Sequence, residues 1–375
     1  MSDTKNKKES YLSYSILAPR FWHGMKMGTL ARLVLPNLHK VQWHRWFVLF
    51  AVSWYSVVNS FFYLLQQLFF GSKIRKHEIK NPPVFIVGHW RSGTTFLHDL
   101  MATDKAITYP STLQTMLPNQ FMVTGWLVGR CGFLIPDKRP QDNVATGWQK
   151  PQEDEFAIMN MGACSPYLRM AFPNNGPIHD EFLDMKDIDP QELEKWKKTV
   201  VKFVKMVSLK GKGRTVVLKS PPHLGRIKIL SELFPDAKFI HIARSPYSLF
   251  PSTMRLWKAM DHTQAFQRPT HEYLEEYVFG NLEKMYTAFE SQRASIDSSN
   301  ITDVRYEDLI TEPAAQIERI YADLNLGDFE EVRESLETYL QTQKDYKVNK
   351  HAMDQDLEQR IKERWGNIFE KYGYE

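Results

Sequence analysis

The chain has 375 residues, 43% hydrophobic and 25% charged, with a formal net charge of +4. That length can bury a full core with room for extensions, and two cysteines exclude a disulfide framework. The mild charge, with no basic stripe carrying interleaved aromatics, argues against a nucleic-acid partner and suits small anions or lipid headgroups. Residues 1–10 are charged and lack an apolar run. No secretory signal is therefore expected, and a reducing, cytoplasmic setting is.

The pattern reads as helical over 1–80, alternating strand and helix over 81–325, and helical again over 326–375. Residues 47–70 contain no charged side chain and are dense in Phe, Trp, Tyr, Leu and Val. As a helix this stretch would run roughly 36 Å, enough to cross a bilayer. Yet Ser53, Ser56, Ser60, Tyr63 and Gln67 recur on one face, a stripe that a lone spanning helix would leave in lipid. An in-plane helix at the cytoplasmic face of a membrane is the expectation, ahead of a true span, a core helix or a homodimer interface.

Residues 83–97 follow as an apolar strand, a glycine turn and a helix start. Gly88 and Gly93 let backbone approach an anion, and the amides that open the helix favour negative charge. The spacing is that of a G-x-x-x-x-G-K-[ST] nucleotide loop, except that Thr94 replaces the lysine. Without that lysine, Mg²⁺-dependent phosphoryl transfer is disfavoured, and the cation of the loop is Arg91 instead.

Glu153, Asp154 and Glu155 form an acidic block at a helix start. An amphipathic surface helix is expected from Leu193, Trp196, Val200, Phe203, Val204 and Val207. Residues 216–219 form a strand ending in Lys219, followed by Ser220, two prolines and His223. Residues 237–243 form another, ending in Arg244 before a helix that carries Ser252 and runs through Met260. A guanidinium at a strand end and a hydroxyl two turns along the next helix can converge on one phosphate. A last strand from Ile301 leads into Tyr306, Glu307, Asp308 and Leu309, with helices expected over 324–340 and 357–372. The strands end in Lys219 and Arg244 rather than an acid that could hold Mg²⁺. The scattered histidines and the lack of CxxC spacing leave no metal site expected.

The run Arg91, Ser92, Gly93, Thr94, Thr95 resembles the 5'-phosphosulfate loop of sulfotransferases that use 3'-phosphoadenosine-5'-phosphosulfate, and the bacterial members are the most similar. The resemblance covers residues 81 to 325. It implies a P-loop-like α/β fold, a parallel sheet flanked by helices, with helical N- and C-terminal extensions. It also implies that Arg244 and Ser252 bind the 3'-phosphate, that Lys219 lies near the sulfuryl group, and that Tyr306 flanks the adenine. A C-terminal segment with Asn349 and Lys350 would reach the 3'-phosphate. The pattern breaks at the base, because the histidine that cytosolic members place two residues after the lysine is Pro221 here. Glu153 or Glu155 is then the expected base, with His223 behind them and His98 as a packing residue. The implied reaction is in-line transfer of a sulfuryl group to a hydroxyl of a small-molecule, lipid-like or glycan acceptor. A P-loop kinase and a non-catalytic nucleotide-binding membrane protein are the alternatives.

Overall fold

The computed structural model describes residues 19–131, 147–342 and 355–374. The C-terminal Asn349 and Lys350 lie outside them. Five parallel strands form one sheet in the order β2-β3-β1-β4-β5. They are β1 (Val84–Val87), β2 (Ile107–Thr108), β3 (Thr215–Lys219), β4 (Lys238–Ala243) and β5 (Ile301–Arg305). A parallel sheet is covered on both faces, so its strands read as continuous apolar runs. All four residues of β1 are buried.

The side chains of β1 alternate between two cores. Phe85 and Val87 join one cluster, Val84 and Ile86 the other. The second core is closed by α3 (Thr94–Met101), α12 (Pro313–Leu324) and α13 (Glu330–Thr342). The first, larger core takes in both ends of the chain. From the N-terminal side come α1 (Met27–Val34) and α2 (Trp46–Lys76), with Leu30, Leu33, Val48 and Val52 buried. From the C-terminal side comes α14 (Gln355–Phe369), with Ile361, Trp365 and Phe369 in the same cluster. Between them lie α4 (Thr112–Met116), α5 (Phe121–Val128), α6 (Asp154–Met161) and α7 (Pro190–Lys210). The remaining helices are α8 (Ile227–Leu233), α9 (Pro246–Gln264), α10 (Leu274–Arg293) and α11 (Tyr306–Thr311).

Two boundaries differ from the sequence reading. The helix expected over 324–340 is split, because Asn325 and Gly327 take left-handed φ of 51° and 123°; Leu324 ends α12 and α13 starts only at Glu330. The β5 strand stops at Arg305, so Tyr306 opens a helix instead of ending a strand.

Candidate active site

In this topology the chain leaves β1 toward β3 on one side and reaches β4 on the other. The crevice at the carboxyl ends of such strands is where open α/β sheets bind ligands. The loop from Gly88 to Gly93 fills that crevice. A Cβ on Gly88 would lie 2.7 Å from the Ile242 carbonyl oxygen and 2.7 Å from Ser92 Oγ, so only glycine lets the loop press onto β4. Arg91 and Gly93 adopt φ of 71° and 103°. No side chain caps α3, whose first-turn amides therefore open onto the loop.

Four of the residues named from the sequence meet here. Arg91 Nε donates to Ser252 Oγ at 2.9 Å, and Arg244 Nη1 donates to the Arg91 carbonyl at 2.9 Å. The Arg244 guanidinium lies 4.2 Å from the centre of the Tyr306 ring. A Cβ on Gly93 would strike that ring at 2.3 Å. Tyr306 is thus the buried floor under Gly93 and Arg244, and not an open face beside a base as expected.

The acidic block is dispersed by helix geometry. Three consecutive residues entering a helix point about 100° apart, and each finds a different partner. Glu153, the residue just before α6, meets Lys219 Nζ at 2.9 Å through Oε1, and its Oε2 accepts from the Tyr167 hydroxyl at 2.6 Å. Lys219 Nζ also lies 3.3 Å from Thr95 Oγ1, which puts the pair against the first turn of α3. Tyr167 in turn accepts from Trp90 Nε1 at 2.9 Å. The Glu153 side chain keeps 15% of its surface exposed.

Its two neighbours are turned away. Glu155 is fully buried, held by Arg226 through bonds of 2.6 and 3.2 Å and by Ser165 Oγ at 2.6 Å. Its expected role as base is therefore corrected, since both its oxygens are committed to a structural ion pair. Asp154 accepts from Ser220 Oγ at 2.8 Å and pairs with His223 Nε2 at 2.7 Å. Burial alone would raise the Asp154 carboxyl, but His223 and Ser220 outweigh it and hold the group below its usual range. His223 has no exposed surface and is engaged by Asp154, so it lies behind the layer that Glu153 and Lys219 form. His98, on α3, is buried and lowered to about 3 by desolvation and then by Lys219. It is a neutral packing group.

Trp90 and Tyr167 were missed by sequence reasoning. Trp90 sits inside the recognised loop, but its partner is 77 residues away and no local spacing announces it. Among the described residues no group of three or more His, Cys, Asp or Glu side chains converges as a metal site.

The donor set suits a ligand rich in anionic oxygens. Arg91, Lys219 and Arg244 surround a loop with uncapped amides, and the fully buried Ser92 Oγ has no hydrogen-bond partner among the described residues. Comparison with known proteins gives the family. Residues 82–331 match the profile of the Sulfotransferase family. The chain is 39% identical over 358 residues to the omega-hydroxy-beta-dihydromenaquinone-9 sulfotransferase Stf3 of Mycobacterium bovis and to that of Mycobacterium tuberculosis. That alignment covers 96% of this chain and 92% of each relative. Two crystal structures share the fold at low identity. Sulfotransferase STF9 from Mycobacterium avium has a TM-score of 0.62 at 16% identity, over 84% of this chain and 82% of that one. Sulfotransferase STF1 from Mycobacterium tuberculosis has a TM-score of 0.60 at 17% identity, over 98% and 100%.

Proposed function

The chain belongs to the sulfotransferase family and is a sulfotransferase, and from that premise we propose that it transfers the sulfuryl group of 3'-phosphoadenosine-5'-phosphosulfate to a hydroxyl on a hydroxylated, menaquinone-like lipid. The acceptor class is supported by the relative at 39% identity, whose name specifies such a substrate. The observation that carries the chemistry is the convergence of Glu153 and Lys219 on Thr95 of the phosphate loop.

In this reading Arg244 and Ser252 hold the 3'-phosphate, and the α3 amides with Ser92, Thr94 and Thr95 cradle the 5'-phosphosulfate. Glu153 takes the proton of the acceptor hydroxyl as its oxygen bonds to sulfur. The sulfur–oxygen bond to the phosphate breaks, and its electron pair stays on the former bridging oxygen of adenosine 3',5'-bisphosphate. Lys219 and Arg91 stabilise the charge that grows there. Lys219 is paired with Glu153 before substrate binds, so the incoming anion would draw the ammonium away and release the carboxylate as a base.

The test is incubation of the purified protein with radiosulfur-labelled donor and a total extract of lipids and glycans. A labelled lipid that migrates as a sulfated hydroxy-quinone is the expected product. Label confined to a glycan would reject the lipid acceptor, and bisphosphate binding without any labelled product would reject the transfer.

A further inference from the structure

Helix α2 presents a stripe that nothing among the described residues covers. Phe50, Trp54, Val57, Phe61, Leu64 and Leu68 follow one another at steps of four and three, which keeps them on one face. Each is between 49% and 74% exposed. The opposite face is pinned by buried polar contacts. Asn59 Nδ2 donates to the carbonyls of His23 and Met25. Gln66 donates to the Pro118 carbonyl at 3.1 Å and accepts from the Met122 amide at 3.0 Å. The serine-containing stripe seen in the sequence belongs to this docked side, where Ser60 Oγ accepts from the Met27 amide at 2.9 Å.

Exposed apolar surface on this scale marks an interaction site. Its charge identifies the occupant. No Asp or Glu occurs from Trp43 to Lys76, and the helix ends in the exposed Lys73, Arg75 and Lys76. A second copy laid along the same stripe would find no acidic residue to meet those cations, whereas anionic headgroups beside an apolar layer meet both features. A crossing orientation would drag Asn59 and Gln66 off their backbone partners into hydrocarbon, at the cost of unsatisfied polar groups.

We propose that α2 lies in the plane of an anionic lipid bilayer, with this stripe in the acyl boundary and its basic end among the headgroups. The surface is also close to the site. Asn59 holds the backbone of residues 23–25, and Phe21 in the same segment stacks on Phe156 of α6 at 4.0 Å. This placement stands without the acceptor reading, and its test reads binding alone.

The full-length protein is floated with vesicles of phosphatidylcholine containing phosphatidylglycerol, and with phosphatidylcholine alone. Flotation with the anionic vesicles at low salt, weakened by high salt and lost by alkaline carbonate washing, is expected. Combined Phe50→Glu, Trp54→Glu and Phe61→Glu substitution should lower the bound fraction at least about tenfold. If that variant fails to fold, quenching of wild-type tryptophan fluorescence by acyl-chain-brominated lipid carries the same expectation. Failure of the wild type to float at low salt overturns the proposal. So does a wild-type dimer that the variant converts to monomer, and resistance to carbonate would replace the in-plane helix with a span.

Discussion

Lys219 Nζ lies 2.9 Å from Glu153 Oε1, tying the end of β3 to the start of α6 beside the phosphate loop. Two residues further on, Glu155 makes an ion pair of opposite purpose, fully buried against Arg226. Glu153→Gln should therefore keep the fold and bisphosphate binding while turnover falls about 10²- to 10⁴-fold. Glu155→Gln should instead lower stability by about 3–5 kcal/mol, because it strands the Arg226 guanidinium in the core. Urea unfolding beside single-turnover rates separates the two. Near-normal turnover in the folded Glu153 variant would remove it as the base.

Arg244 reaches across Tyr306 to the Arg91 carbonyl, so the two arginines expected at opposite ends of the donor are joined through the loop backbone. Arg244→Ala should weaken adenosine 3',5'-bisphosphate by about 1.5–3 kcal/mol, the usual cost of a lost charged hydrogen bond. Calorimetry measures this directly. An unchanged affinity would show that the 3'-phosphate is held elsewhere.

The glycine turn after β1 and the strand end at Arg244 were legible in the sequence because their signals are local. A glycine pair, a helix start and a strand end are written within a few consecutive residues. The choice between Glu153 and Glu155 was not, since it depends on Arg226, Lys219 and Tyr167, which only the sheet brings near. Tyr306 shows the same limit. Its burial under Gly93 is set by a contact across more than two hundred residues. The amphipathic periodicity of α7 was readable, while the break after Leu324 was missed because the apolar spacing runs on through it, although Asn325 and Gly327 are the residue types that end helices in a left-handed turn.

His98 gives a pH dependence of defined sign. Burial lowers it from 6.5 to about 3, so on acidification the unfolded chain takes up this proton first. Below 6.5 the unfolded state binds more protons than the folded state, and stability falls as pH drops toward 3; above 6.5 the contribution is flat. His98→Leu removes that term. Relative to wild type, the variant should gain about 2 kcal/mol between about pH 7.5 and about pH 5, at about 1.4 kcal/mol per pH unit below the unfolded pKa. Urea titrations of both proteins at the two pH values give the difference. A difference that does not change with pH would mean that His98 takes up its proton as readily in the folded protein as in the unfolded chain.

Arg91 holds a left-handed backbone at φ 71° that side chains other than glycine adopt only at a cost, while its guanidinium contacts Ser252. The two properties can be separated by two substitutions. Arg91→Ala keeps the Cβ and its strain but loses the charge; Arg91→Gly loses the charge and relaxes the turn. Both should reduce turnover about 10²-fold or more, since both remove the cation from the developing leaving group. The glycine variant should be more stable than the alanine variant by about 1 kcal/mol, a reversal of the order found for these residues within a helix. Equal stabilities would mean that the loop changes conformation once the arginine is gone. In that case the loss of turnover in either variant would report a displaced loop and not a missing charge.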